Sequence, residues 1–204
     1  SGRVSKKIAW GWLLALCALG LLVLLQLRWE AQSIALASIA LVAAYPFMKR
    51  ITWWPQVWLG LVFGWGALVG WFAIRSDHLD ALAALYVGTA LWVIGYDTIY
   101  ALQDREDDAL VGIKSSALRL GENVTAGVGL FYLTAVGLWG LAFWLLRADW
   151  MALLTLLPVA AHLCWQVATL DVNDADNPLA RFRANRWAGG LMAAACFVVG
   201  NAGG

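Results

Sequence analysis

Asp97, Asp104, Glu106, Asp107 and Asp108 cluster at the end of a segment otherwise suited to lipid. Hydrocarbon does not solvate carboxylates, so ionisable groups in or beside a membrane helix are read first as functional. At about 100° per residue, Asp97, Asp104 and Asp108 fall within roughly 40° of one another on a continuous helix. Such a helix, if it runs that far, carries three carboxylates as one stripe from the bilayer to its edge. Carboxylate oxygens suit a hard divalent cation, and a cation held by few carboxylates usually shares its shell with a phosphate. Asp104 and Asp108 lie one turn apart, with Asp107 and Glu106 beside them. A solvated acidic loop is the plainer alternative. It covers 104–108 but not Asp97, which lies several residues inside the apolar segment between Tyr96 and Tyr100.

Basic groups supply the other half of a phosphate site. Tyr45-Pro46-Phe47-Met48-Lys49-Arg50 puts Lys49 and Arg50 at the end of an apolar run. Arg offers a planar fork for phosphate and Lys a compact charge. The same pair at a helix end also serves to set membrane orientation, and both readings stand. Gly112-Ile113-Lys114-Ser115-Ser116 follows the acidic cluster, where Lys114 either closes over the same anion or balances its acidic neighbours. Carboxylates, a divalent ion and Lys/Arg together are the usual kit for an anionic diphosphate. The run from Asp171 to Pro178 is not an EF-hand. Ala175 and Phe182 stand where that loop needs ligands, so a polar connector is expected. His78 and His162 have no partner pattern and are read as structural.

The elements that position these groups are helices in lipid. The chain is 62% hydrophobic and 13% charged, with a mean hydropathy of +0.72. Soluble domains average about 45–50% apolar and about 25% charged. A crossing helix needs about 20 residues. Seven candidate spans are read at 7–27, 32–48, 56–74, 79–101, 122–146, 150–170 and 187–202. Alternating strand patterns are absent, so the fold class expected is an all-α membrane protein, a bundle of about seven transmembrane helices forming a single domain over 1–204. Of the 14 basic residues, eleven fall on one set of loops and three (Arg28, Arg75, Arg147) on the other. This split fits seven spans with the N-terminus and the acidic cluster in the cytoplasm. A net charge of +1 gives no electrostatic support for nucleic-acid binding. Cys17, Cys164 and Cys196 are read as packing thiols. Gly60/Gly64 and Gly66/Gly70 are read as close helix–helix contacts. Pro46 and Pro55 are expected to bracket a loop, and Pro158 to kink its span. Trp10, Trp12, Trp29, Trp53, Trp54, Trp150 and Trp187 suit interface anchors.

Taken together, Tyr-Pro-Phe-Met-Lys-Arg at 45–50, Tyr-Asp-Thr-Ile-Tyr-Ala at 96–101, Asp-Arg-Glu-Asp-Asp at 104–108 and Gly-Ile-Lys-Ser-Ser at 112–116 resemble the UbiA superfamily of intramembrane aromatic prenyltransferases. Within it the resemblance is greatest to the bacterial enzymes that prenylate 4-hydroxybenzoate for ubiquinone. Asn177-Pro178 with Arg181, Phe182 and Asn185 is similar to that group's last cytoplasmic loop. The family has two Asp-rich motifs, and only the second, at Asp104 and Asp108, is found here. An element like Ser1-Gly2-Arg3-Val4-Ser5 follows the first motif in the family. The expectation is therefore the C-terminal part of a nine-helix fold, inactive as this piece alone.

The resemblance implies Mg2+ held by Asp104 and Asp108, with Asp107 beside them. The metal binds a polyprenyl diphosphate, whose departing group Lys49, Arg50 and Lys114 neutralise. An aromatic acid attacks the resulting allylic cation through the carbon ortho to its hydroxyl. Asp97 or Tyr45 positions that acid or stabilises the cation. The implied setting is a bacterial inner membrane, with membrane lipid around the tail and the site facing the cytoplasm. The competing expectations are a sister enzyme acting on homogentisate or a naphthoate, and a small-anion transporter using Lys49, Arg50 and Lys114 as a basic vestibule.

Overall fold

The computed structural model describes residues 4–201, apart from the Lys49 side chain. The Ser1-Gly2-Arg3 part of the N-terminal element, residue 202 of the last expected span and the Lys49 side chain lie outside the described residues. Within them are ten α-helices: α1 (Lys6–Leu24), α2 (Trp29–Ile51), α3 (Pro55–Ile74), α4 (Leu79–Tyr100), α5 (Arg105–Val111), α6 (Ser116–Leu120), α7 (Val124–Leu146), α8 (Trp150–Leu154), α9 (Leu157–Ala168) and α10 (Asn177–Asn201). A 3-10 turn, Gly121–Asn123, joins α6 to α7, and the described residues contain no strand. Among the described residues six stretches are long and apolar enough to cross a membrane, so the chain is an all-α membrane bundle.

The seventh expected span exists as α10, which begins at Asn177 rather than 187. Its first turns carry Arg181, Arg183 and Arg186, so it is long enough to cross but less apolar than the other six. Pro46 does not end α2, which continues to Ile51. A proline inside a helix forfeits one backbone bond, a loss membrane helices accommodate. Pro55 does start α3. Pro158 marks a break rather than a bend: α8 stops at Leu154, and α9 restarts at Leu157 with Pro158 in its first turn. The three cysteines are exposed on the bundle surface rather than packed inside. A thiol costs little against lipid, so burial is not required of it. Trp10, Trp12, Trp29, Trp150 and Trp187 are exposed.

α4 is the hub, packing on α3, α7 and α10. Its glycines admit large rings from α7. A Cβ added to Gly88 would lie 2.9 Å from Trp139 Cδ1, and one on Gly95 would lie 2.5 Å from Tyr132 Cε1. The α3 face repeats this logic, because a Cβ on Gly60 would lie 2.6 Å from the Ala90 carbonyl oxygen, while Gly64 faces Tyr86. Gly66 and Gly70 behave differently. A Cβ on either meets nothing within 4 Å, so only the first pair of the expected small-residue spacing is a helix contact. α1 buries none of its residues and presents apolar side chains all round, as a lipid-facing helix does.

Polar side chains within the bundle bond to other helices, because lipid offers no partner. The indole N–H of Trp58 donates to Leu41 O at 2.7 Å, and that of Trp65 to Ile34 O at 2.8 Å, joining α3 to α2. Asn185 joins three helices. Its amide donates to Gln166 Oε1 at 2.8 Å, and its Oδ1 accepts from Trp92 at 2.8 Å and from Tyr132 at 3.4 Å.

Because the Ala90 carbonyl is backbone and cannot move aside, Gly60→Ala should cost about 1–3 kcal/mol by overpacking. Gly66→Ala should be neutral or stabilise by up to about 1 kcal/mol, as alanine does in an open helix. Thermal unfolding in detergent micelles measures the difference.

Candidate functional site

The site is assembled where α4 ends. α4 stops at Tyr100, residues 101–104 form turns, and α5 restarts at Arg105. The three-carboxylate stripe expected of a continuous helix is therefore interrupted. Asp97 stays in α4, whereas Asp104 ends the turn and Asp108 belongs to a separate short helix. Asp104 precedes α5 without using its side chain to cap it, and the Asp108 N–H donates to the Asp104 carbonyl at 2.7 Å. Asp108 is buried, with 7% exposure, while Asp104, Glu106 and Asp107 are exposed. Glu106 and Asp107 line a separate cavity of about 950 Å³ facing Asn173 and Asp174 of the connector between α9 and α10.

Beyond α5 the chain turns sharply back. Gly112 adopts a left-handed conformation at φ 71°, which an L side chain resists. Both Gly112 and Ile113 donate their N–H groups to the Asp108 carbonyl. This hairpin carries Lys114 to the end of α2. Its Nζ donates to Ile51 O at 3.3 Å and stands 5.7 Å over the Trp53 ring. Arg50 is exposed on the last turn of α2, and the backbone of Lys49 lies on the same turn. The Tyr45 phenol, one turn further into α2, is within electrostatic reach of the half-buried Asp97 carboxylate across the bundle. Tyr45, Asp97, Arg50 and Lys114 thus gather on the α2 and α4 side of the same bundle end.

A buried polar chain holds this corner. Thr98 and Ser116 hydroxyls are 2.7 Å apart, and the Ser116 N–H donates to Gln56 Oε1 at 3.1 Å. Thr98, Ser115, Ser116 and Gln56 are each at most 2% exposed. The Ser115 hydroxyl caps α6 by accepting from the Leu118 N–H at 3.3 Å. α3, α4 and α6 are therefore locked directly behind Asp97 and Lys114. Reading the sequence did not assign a role to Gln56 or Thr98. The available signal was Gln56 itself, an amide just inside an apolar span, where a polar side chain needs a partner. Gln166 and Tyr132 carried the same signal.

No three His, Cys, Asp or Glu among the described residues converge well enough to hold a metal ion. The expected trio of Asp104, Asp107 and Asp108 is divided, since Asp107 faces the connector cavity. The remaining pair, one helical turn apart, fits a hard cation only if that ion takes most of its ligands elsewhere, as Mg2+ does with phosphate oxygens and water.

Comparison with known proteins gives a consistent picture. A family model described as the UbiA prenyltransferase family matches residues 1–197. A mitochondrial 4-hydroxybenzoate polyprenyltransferase of Caenorhabditis elegans is 38% identical over 94% of this chain and 54% of its own length. Its namesake from Drosophila melanogaster is 42% identical over 94% of this chain and 49% of its own. The 4-hydroxybenzoate geranyltransferase 2 of Lithospermum erythrorhizon is 35% identical, covering 94% and 63% respectively. The chain spans about half the length of the first two relatives. No solved structure matches.

Gln56→Leu would leave the buried Ser116 N–H without an acceptor. It should cost about 1–3 kcal/mol and raise hydrogen exchange across 112–116 before the rest of the bundle. Exchange mass spectrometry reads both effects.

Proposed function

The chain belongs to the UbiA prenyltransferase family, and from that premise we propose that it serves to transfer a polyprenyl group from a polyprenyl diphosphate to the ring of 4-hydroxybenzoate, a step of ubiquinone biosynthesis. The names of the relatives support the acceptor. The observation that carries the reading is the approach of Lys114 to the basic end of α2, at the bundle end where α4 gives way to the carboxylates of 104–108.

In this reading Lys114, Arg50 and Lys49 take the diphosphate. As the allylic C–O bond breaks, the diphosphate leaves with the electron pair. Cationic groups already in place then stabilise charge that develops only in the transition state. Mg2+, when bound through Asp104 and Asp108, supplies further charge on the diphosphate oxygens. Asp97 sits deeper than the basic groups, where its charge offsets that of the allylic cation. The Tyr45 hydroxyl orients the aromatic acid beside it. The ring carbon ortho to the phenol forms the new bond and loses its proton. Burial of this corner in apolar helices keeps water from the cation, which it would otherwise consume.

The membrane proposed is a bacterial inner membrane, with the site facing the cytoplasm. The eleven-to-three division of basic residues supports the orientation. Several of the relatives are named as mitochondrial, and membrane fractionation of the source cell decides between the two compartments.

Asp104→Asn and Asp108→Asn should each lower kcat/KM for prenylation of 4-hydroxybenzoate by at least about 100-fold, in membranes holding the protein as the cell makes it. Unchanged turnover in both would reject the reading. Competition among 4-hydroxybenzoate, homogentisate and a naphthoate, with product analysis, tests the acceptor. The first should dominate.

A further inference from the structure

At the end of the bundle opposite the candidate site, α3, α4, α7 and α10 enclose a second cavity, of about 710 Å³. Ligand pockets fall between about 300 and 1,000 Å³. Its walls are apolar, with Ala67, Leu85, Phe143 and Leu146 among them. The empty space beside Gly70 opens onto it, so the cavity reaches the α3 backbone itself.

The rim is chemically different. The basic residues lining it are Arg75, His78 and Arg147, and no carboxylate lines the cavity among the described residues. They stand at the ends of α3 and α7 and at the start of α4. Each arginine uses one edge on a neighbouring carboxylate. Arg75 binds Asp77 through Nε and Nη2, and Arg147 binds Asp149 through the same two atoms. Arg147 Nη1 is shielded from solvent and has no hydrogen-bond partner among the described residues. An unsatisfied buried guanidinium donor is costly, and Arg147 is among the residues lining the cavity.

The occupant must suit both parts. An isoprenoid tail fits the walls but offers nothing to the rim. A soluble anion fits the rim but not the walls. A phospholipid fits both, because helix ends lie at headgroup depth while the walls lie deeper in the hydrocarbon. The guanidinium fork matches phosphate oxygens. We propose that this cavity binds an anionic phospholipid, with its phosphate on Arg75, Arg147 and His78 and an acyl chain running past Gly70 and Leu85. Bound there, the lipid ties together the ends of four helices.

Native mass spectrometry of the protein in mild detergent, titrated with palmitoyl-oleoyl phosphatidylglycerol or phosphatidylcholine, tests this. Phosphatidylglycerol should give a single tight adduct favoured at least about tenfold over phosphatidylcholine. Arg147→Gln should weaken that adduct about tenfold. Gly70→Trp, whose side chain enters empty space, should remove it for both lipids while circular dichroism stays unchanged. Equal affinity for the two lipids would overturn the proposal, as would full phosphatidylglycerol binding by Gly70→Trp. Displacement of the lipid by geranylgeraniol would give the cavity to an isoprenoid tail instead, and is likewise contrary. Should Arg147→Gln fail to fold, the wild-type lipid preference and Gly70→Trp decide.

Discussion

The hydrogen-bond chain from Gln56 through Ser116 to Thr98 is what the candidate site rests on. Three helices meet there with almost no solvent contact, and the buried polar groups satisfy one another, Thr98 also donating to the Ile94 carbonyl. In a low-dielectric interior such bonds are strong when complete and costly when broken. The chain fixes where the 112–116 loop returns to the bundle, and so where Lys114 arrives. Lys114 in turn reaches the Ile51 carbonyl at the end of α2, next in sequence after Lys49 and Arg50. Loose packing here would leave the same charges in the sequence without bringing them together.

The hub helix links the two ends of the molecule. At 22 residues, α4 is about 33 Å long, enough to span hydrocarbon. Its glycines at 88 and 95 let Trp139 and Tyr132 of α7 approach its backbone, while α3 closes on it through Gly60 and Gly64. This tight middle separates two polar ends of opposite design. One gathers carboxylates and lysine around a buried hydroxyl–amide chain. The other sets arginines over an apolar cavity. The tight middle suits a rigid frame, and the open features lie at the ends where amphipathic molecules enter from the interface.

The helical class and most spans were legible because hydrophobic length in lipid is a strong signal. The residues 45–50, 96–108 and 112–116 were legible as a group because charge beside hydrocarbon demands a reason. Four things were not. Hydropathy does not register a helix start that carries charged residues, so the early start of α10 at Asn177 was not legible, whereas the end of α4 near 101 was. Proline was read as a terminator at 46, yet α2 runs through it, since one lost backbone bond does not outweigh a continuous apolar face. Spacing alone gave Gly66 and Gly70 the same standing as Gly60 and Gly64, because spacing does not say which side of a helix has a neighbour. The partners of Gln56 lie at 98 and 116, and no local pattern joins positions so far apart.

On the proposed function, Asp108 and its neighbours form a diphosphate site completed by a divalent ion. Equilibrium binding of an unreactive geranyl thiolodiphosphate, followed calorimetrically with and without Mg2+, examines that directly. Tight binding should require the ion, and Asp108→Asn should abolish it even at saturating Mg2+. Binding of equal strength in a chelator, undiminished by that substitution, would contradict the role assigned to these carboxylates.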